Sequence, residues 1–165
     1  MTDREAIRHA YLAEGNAKQA RKRVAADVVL RDMAGQVLLV NPTYKEYWDL
    51  PGGMAEANEP PRHAAERELR EEIGLDITAG RLLVVDWEGP HGPWDDQVLF
   101  VFDAGTLTAV AKAELRLTDG ELSDFGFFST ADACRRLRPD MADRLVRALR
   151  ALEAGTAEYG ERHHS

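Results

Sequence analysis

The sequence predicts an α+β fold in which helices cover a sheet, an α/β/α sandwich. Strand-like segments precede and follow one central helical segment, and further helical segments close the chain. This order is typical of a sheet covered by helices. Neither a repeat nor a linker divides the 165 residues, which suffice for one domain with a sizeable core. We expect an N-terminal helix or arm over 1–23, the domain over 24–154 and a frayed tail over 155–165.

Composition excludes several classes of protein. The single cysteine, Cys134, cannot form an intramolecular disulfide and excludes a Cys-based zinc cluster. No apolar run approaches the roughly 20 residues needed to cross a bilayer, and the N-terminus lacks a signal-peptide pattern. We therefore expect a cytoplasmic protein without a membrane partner. The net charge of −8 argues against nucleic-acid polymers, but divalent cations would allow an acidic protein to bind small phosphorylated substrates.

The N-terminal part predicts a polar arm and then a hairpin. The arm ends in a basic cluster, which is either a solvated surface or a local contact for nucleic acid or substrate: Lys18, Arg21, Lys22 and Arg23. Residues 24–30 and 36–40 are strand-like, with a turn over 31–35, and Asn41-Pro42 stops the second strand.

A bend and a helix follow the hairpin. Pro51-Gly52-Gly53 predicts a sharp bend at which the main chain can approach a ligand closely. The helix is expected to start with Asn58 as a polar cap, Glu59 near the positive end and proline at its first position. It continues to about Ile73, and Gly74 provides a left-handed stop.

The C-terminal part predicts more strands and two closing helices. Residues 88–96 form a Gly/Pro-rich loop of the kind that often lines a site. His163 and His164 lie in the expected frayed tail, and we assign them no role. Strands are expected at 81–87, 97–103, 114–117 and 125–128, and helices at 131–137 and 141–152.

The central helix collects carboxylates on one face. Offsets of three and four residues place Glu68, Glu71 and Glu72 together, while Leu69 and Ile73 mark the face to bury. Like charges at this spacing repel each other, so the pattern indicates either a solvated helix or a cation site. Oxygen-only ligands favour Mg²⁺, with Mn²⁺ as a substitute, over zinc.

The spacing of the whole segment resembles the signature of the Nudix hydrolase family at every fixed position. With residue frequencies of roughly 5–8%, a chance match at a given start is below about 10⁻⁸. The fixed positions are Gly53, Glu59 after five residues, Arg67-Glu68-Leu69 after seven, Glu71-Glu72 after one and Gly74-Leu75 after one.

This resemblance implies a fold, a reaction and a set of site residues. It implies a mixed sheet between helices and Mg²⁺-dependent hydrolysis of a nucleoside diphosphate linked to another moiety, such as ADP-ribose, or of a nucleoside triphosphate. Glu68, Glu71 and Arg67 are the implied catalytic residues, with Glu68 as our first choice of general base and Glu121 as the second. Arg67 and Glu59 would mainly hold the loop and helix together by pairing. The implied metal ligands are the Gly53 carbonyl and the carboxylates of Glu68, Glu71, Glu72 and Glu121.

Substrate contacts are expected outside the signature. Aromatic and polar residues could stack on a base or bond a ribose, with core packing or solvent exposure as the alternative for each: Trp48, Trp87, His91, Trp94 and Asp95, together with Tyr44 and Tyr47. Pro90, 15 residues after Leu75, lies at an offset that resembles ADP-ribose pyrophosphatases of the family.

Two other functions and a homodimer are compatible with the resemblance. An isomerase of prenyl diphosphates on the same fold would need a cysteine in the site, and the signature has none near it. A non-catalytic nucleotide-binding or sensor protein is the alternative from another functional class.

Overall fold

The computed structural model describes residues 2–164, which form five helices and seven strands. The helices are α1 (Asp3–Ala17), α2 (Pro61–Ile73), α3 (Ala109–Ala113), α4 (Thr130–Arg136) and α5 (Pro139–Ala154). The strands are β1 (Arg23–Arg31), β2 (Val37–Pro42), β3 (Gly52–Met54), β4 (Leu82–Glu88), β5 (Gln97–Thr106), β6 (Leu122–Phe128) and β7 (Glu158–Arg162).

All seven strands share one mixed sheet of order β6-β2-β1-β5-β4-β7, to which β3 adds by pairing with β1. The β1–β5 and β4–β7 pairs are parallel, and the other pairs are antiparallel. Strand β1 is central and buried from Ala25 to Leu30, with Asp27 as the one charged residue in that run. The apolar run in the sequence therefore corresponds to a strand covered on both faces.

Helices cover both faces of the sheet, which confirms the predicted α/β/α sandwich. On one face α2 buries Ala64, Ala65, Leu69 and Ile73. On the other face α4 and α5 bury a second apolar stripe, comprising Ala133, Met141, Leu145, Ala148 and Ala151. Helix α1 lies outside these layers, since none of its residues is buried. None of the helices formed by residues 2–164 has the length and apolar character needed to span a membrane.

The two ends of α2 differ in how well the sequence predicted them. Asn58 was expected to cap the helix, but its backbone is left-handed (φ 63°) and Pro60 occupies the N-cap position without a side-chain cap bond. Pro61 at the start and left-handed Gly74 (φ 68°) at the end confirm the other signals. The Gly74 amide donates to the Arg70 carbonyl at 3.1 Å.

Residues 114–117 do not form the expected strand. The Arg116 amide instead satisfies a free carbonyl at the end of α2, because it donates to Ile73 O at 3.3 Å. Thr118 continues this contact by donating its amide to Glu72 O at 3.2 Å and its hydroxyl to Glu71 O.

The expectation of a frayed C-terminal tail is wrong for residues 158–162. They form β7, which pairs in parallel with the otherwise open edge of β4, with Val84 opposite Glu158 and Glu88 opposite Arg162. Glu158 also accepts hydrogen bonds from Arg147 and Arg150 of α5. The open strand edge and these ion pairs give a polar segment a fixed position.

Candidate active site

Arg67 connects the loop before α2 to the helix itself. Its guanidinium donates to both carboxylate oxygens of Glu59, at 2.9 and 3.0 Å, and to the Met54 carbonyl at 3.1 Å. The same side chain donates to Glu68 Oε1 at 2.9 Å and to Glu71 Oε2 at 3.0 Å. One arginine thus fixes three carboxylates relative to each other, which agrees with the structural role expected for the Arg67–Glu59 pair.

The Glu59 carboxylate is held in its ionised form. The hydrogen bonds from Arg67 and from the Glu56 amide lower the pKa of Glu59 from 4.5 to about 2. The same contacts with Glu59 raise the pKa of Arg67. The pair therefore stays charged at neutral pH and leaves Glu68 and Glu72 without a full counter-charge.

Glu68 and Glu72 line one end of a cleft of about 360 Å³. Glu72 is only 7% exposed, and its Oε2 atom has no hydrogen-bond partner among the residues described. Burial, and then the charge of Glu68, raises the pKa of Glu72 to about 9. Burial also raises the pKa of Glu68. A divalent cation in the cleft would compensate the negative charge of these buried carboxylates.

The bend before α2 places the main chain directly against these carboxylates. A Cβ atom on Gly53 would lie 2.6 Å from Glu68 Oε1, and one on Gly52 would lie 2.2 Å from the Ala26 carbonyl oxygen. Gly52 also has φ 144°, which disfavours any side chain. Gly52 is therefore required by space and by its φ angle, whereas a side chain at Gly53 would displace the Glu68 carboxylate.

The other predicted ligands lie at the rim. Glu121, before β6, lines the cleft from an exposed position. The Glu71 side chain is half exposed beside Arg67 and does not line the cleft wall. Gly53 lines the cleft as well, so the structure brings most of the predicted ligand set to one end of it.

Cationic and polar side chains also line the cleft. They are Lys45, which pairs with Asp49 at 2.7 Å, Arg138 and Arg144, together with Glu88 and Gln97 at the facing ends of β4 and β5. Arg144 is 1% exposed and donates from Nε to Asp86 at 2.8 Å, while its Nη2 has no partner among the residues described. The cleft therefore contains hydrogen-bond donors as well as carboxylates.

The predicted substrate residues of the 88–96 loop do not line this cleft. Trp94 is 55% exposed below the Arg23 guanidinium, and the Asp95 carbonyl accepts hydrogen bonds from that same arginine. Trp87 donates to Asp96 at 2.8 Å and packs against His163. His91 lies beside Glu88 at a neighbouring cavity, which shares Glu88 and Arg138 with the cleft. Strand alternation explains the difference, because Trp87 and Glu88 point to opposite faces of β4 and only Glu88 faces the cleft.

The aromatic residues before the bend lie nearer the site. Tyr44 lines the cleft itself. Tyr47 and Trp48 line an adjoining cavity of about 250 Å³ that shares Lys45 and Arg138 with the cleft.

Sequence reasoning missed several cleft residues that carried a readable signal. Asp27 interrupts an apolar strand, and burial followed by the charge of Asp49 raises the pKa of Asp27 well above its usual range. Arg144 occupies the apolar face of α5, next to Leu145 and one turn before Ala148. A charged residue on a buried face was the available signal in both cases.

A mixed sheet between helices, with a carboxylate-lined cleft at the start of α2, defines an enzyme for small phosphorylated substrates. Comparison with known proteins narrows this class. A family model for the NUDIX domain matches residues 21–152. The chain belongs to the Nudix hydrolase family. Among the residues described, no cysteine lines the cleft, although the isomerase alternative would need one there.

Individual relatives agree with this assignment. An ADP-ribose pyrophosphatase of Mycobacterium tuberculosis is 32% identical over 144 residues, covering 81% of this chain and 68% of that protein. An 8-oxo-dGTP diphosphatase of Proteus vulgaris is 54% identical over 37 residues, which cover 22% of this chain and 33% of that protein. The NUDIX domain of Shewanella oneidensis NrtR, solved with ADP ribose, has a TM-score of 0.68 and 23% identity, covering 92% of this chain and 99% of that one. The chain is thus a Nudix pyrophosphohydrolase, of a family that generally uses a divalent metal.

Proposed function

We propose that this enzyme is a Mg²⁺-dependent hydrolase of a nucleoside diphosphate linked to another moiety, with ADP-ribose as the first candidate substrate. The observation that supports the proposal is that Glu68 and Glu72, whose pKa values are raised by burial, line the same cleft as Lys45, Arg138 and Arg144. A pyrophosphate bridge has negative charge between two larger groups. Such a molecule fits a cleft that combines carboxylates for a metal with hydrogen-bond donors.

The residues at the carboxylate end fit a hard divalent cation. The orphaned Glu72 Oε2 and the raised pKa values of Glu68 and Glu72 both signal missing positive charge. Glu68 and Glu72 would hold the cation, with Glu71, Glu121 and the Gly53 carbonyl as further oxygen ligands. Oxygen donors of this kind select Mg²⁺, with Mn²⁺ as a substitute. When bound, the cation would neutralise phosphate charge and lower the pKa of water.

Glu68 is our choice for the group that accepts the proton of the attacking water. It lines the cleft, and burial raises its pKa toward the range useful for a base at neutral pH. Arg67 holds its Oε1 atom and Gly53 restricts its side chain, so the carboxylate is fixed in direction. Glu121 is the second choice, because it lines the same end without such restraint.

The donor groups of the cleft would recognise the distal group. Nη2 of Arg144 has no partner among the residues described and can donate to a carbonyl or hydroxyl group, whereas Lys45 and Arg138 would have to share their bonds to Asp49 and Asp140 with a phosphate. Tyr47 and Trp48 supply an aromatic surface beside Lys45 and Arg138. The similarity to an ADP-ribose pyrophosphatase supports ADP-ribose as the first test, and the similarity to an 8-oxo-dGTP diphosphatase makes a nucleoside triphosphate the second.

A substrate panel with product analysis tests this function. Purified protein is assayed with ADP-ribose, a UDP-sugar and 8-oxo-dGTP, each in Mg²⁺ and in Mn²⁺. We expect AMP and ribose 5-phosphate from ADP-ribose, and no turnover in a chelator. Tight binding of ADP-ribose without turnover in either metal would favour the non-catalytic alternative, and faster hydrolysis of the triphosphate would overturn the choice of substrate.

The metal assignment has a matched pair of variants. Glu71→Gln removes a predicted ligand charge and should abolish turnover with the fold retained. Glu56→Gln removes the same charge from an exposed residue in the preceding loop and should have little effect. Equal activity in the two variants would contradict the role given to Glu71.

The choice of base is tested by pH dependence. If Glu68 is the base, Glu68→Gln should remove the acidic limb of the pH–rate profile, whereas Glu121→Gln should lower the rate and keep that limb. The reverse result would assign the base to Glu121.

A further inference from the structure

Three possible metal ligands meet at the margin of the cleft, outside the carboxylate site. Glu88 ends β4, His91 lies in the loop that follows, and His164 follows β7. One ligand atom from each lies within 4.8 Å of the others. None of the three belongs to the Nudix signature, and the sequence suggested no role for His164.

The sheet itself brings these distant residues together. Glu88 is the register partner of Arg162 in the parallel β4–β7 pair, so the chain beyond β7 runs past the end of β4. The Gly89 amide donates to the Arg162 carbonyl at 2.9 Å, which ties the start of the loop to the same point. The meeting of His164 with Glu88 and His91 thus rests on regular backbone pairing.

The contacts around the three residues orient them as ligands. Gln97 Nε2 donates to Glu88 Oε2 at 2.6 Å, and the other oxygen, Oε1, lies 3.2 Å from His164 Nε2. His91 Nδ1 lies 3.1 Å from the Gly89 carbonyl, so a proton on Nδ1 leaves Nε2 free to bind. Two ligands of one tetrahedral zinc ion are separated by about 3.3 Å. The distance of 3.2 Å between Glu88 Oε1 and His164 Nε2 is close to this value. The His164 ring is exposed and can rotate to complete the site.

The local charges permit a cation at this position. Glu88 is a buried carboxylate, 2% exposed, and its hydrogen-bond partners are a neutral amide and a histidine. Two arginines border the same small cavity, but each has a carboxylate nearby. Arg138 donates to Asp140 at 2.7 Å, and Arg162 lies 3.8 Å from Asp143.

We propose that Glu88, His91 and His164 form a second metal site, selective for a borderline transition-metal ion such as Zn²⁺. Its donor set of two imidazoles and one carboxylate differs from the oxygen-only set expected to hold Mg²⁺. An ion there would join the β4–β5 loop to the C-terminal strand beside the cleft. The proposal concerns binding and is independent of which substrate the enzyme hydrolyses.

Zinc titration in excess Mg²⁺ tests the site. The full chain is stripped with a chelator, saturated with Mg²⁺ at the carboxylate site, and titrated with Zn²⁺ against a chromophoric competitor. We expect wild-type protein to bind one more equivalent of Zn²⁺ than His91→Ala or His164→Ala. His163→Ala is the matched control, because His163 packs on Trp87 and should leave the site intact. Gln97→Ala should weaken the site about 10- to 100-fold by freeing the Glu88 carboxylate.

Further measurements keep the test decisive if a variant is unstable. His164→Gln retains an amide that can donate to Glu88 but removes the imidazole, and it should also lose the zinc equivalent. Bound Co²⁺ should give imidazole-dependent visible bands in wild-type protein that His164→Gln lacks. Equal zinc binding in wild type and His91→Ala, or equal losses in His163→Ala and His164→Ala, would overturn the proposal.

Discussion

Replacing Gly53 with alanine would test whether the position of the Glu68 carboxylate limits turnover. The new Cβ atom would lie 2.6 Å from Glu68 Oε1 and 2.7 Å from its Cδ atom. Ordinary contacts of this kind need about 3.4 Å or more, so the carboxylate would have to move by roughly 0.8 Å. Gly53 does not have the left-handed φ of its neighbour Gly52, so the alanine backbone itself is not strained.

The carboxylate cannot make that movement freely. Arg67 holds Glu68 Oε1 at 2.9 Å and is itself held by both oxygens of Glu59. A misplacement of about 1 Å at a reacting group costs on the order of 100-fold in rate, or about 2.7 kcal/mol in the barrier. We therefore expect Gly53→Ala to lower kcat by about 100-fold and to weaken Mg²⁺ binding.

The assay compares Gly53→Ala with Gly120→Ala, since a Cβ at Gly120 would meet no atom within 4 Å. Steady-state hydrolysis is measured at saturating substrate over a Mg²⁺ titration, with thermal unfolding as the check on folding. Gly120→Ala should match wild type. A folded Gly53→Ala protein with wild-type kcat and Mg²⁺ dependence would refute the argument that this contact positions Glu68.

Three more perturbations test other parts of the site. In a chelator, Glu72 has a folded pKa of about 9 against 4.5 when unfolded, so its ionisation costs stability increasingly as pH rises from 4.5 to 9. Glu72→Gln should remove that slope from urea unfolding measured over this range, and should also abolish Mg²⁺-dependent turnover. Asp86→Ala would leave buried Arg144 without its carboxylate, and should lower the free energy of unfolding by about 3–5 kcal/mol in urea titrations. Trp94→Ala should leave kcat and KM unchanged, because this exposed ring lies outside the cleft; a large rise in KM would restore the loop to the substrate site.

The carboxylate cluster of the site could be predicted from the sequence because it is encoded locally. Helical spacing fixes which side chains share a face, so Glu68 and Glu72 meet once α2 forms. The glycine bend and the Arg67–Glu59 pair follow from residues less than 20 positions apart. The family resemblance supplied the bond that is hydrolysed, and the fold agrees with it.

The donor side chains of the cleft were harder to predict because they come from distant segments. Lys45, Gln97 and the α5 residues Arg138 and Arg144 come from three different parts of the chain and meet only in the folded protein. The β7 strand likewise has a polar sequence without a clear alternating pattern. Its position depends on the exposed edge of β4 and on ion pairs with α5, which no local pattern reveals.

The alternation of side chains along a strand would have improved the prediction of which residues near the 88–96 loop line the cleft. Trp87 and Glu88 are adjacent, so they must point to opposite faces of β4, and only one of them can face a cleft on a given side. Asp27 indicates which face of the sheet carries the cleft. A charged residue on the buried central strand needs polar partners or solvent beside it. Applied together, these two rules favour Glu88 over Trp87 as the cleft residue. Alternation also explains why Trp87, which is conspicuous in the sequence, packs against His163 on the other face of the strand instead of lining the cleft.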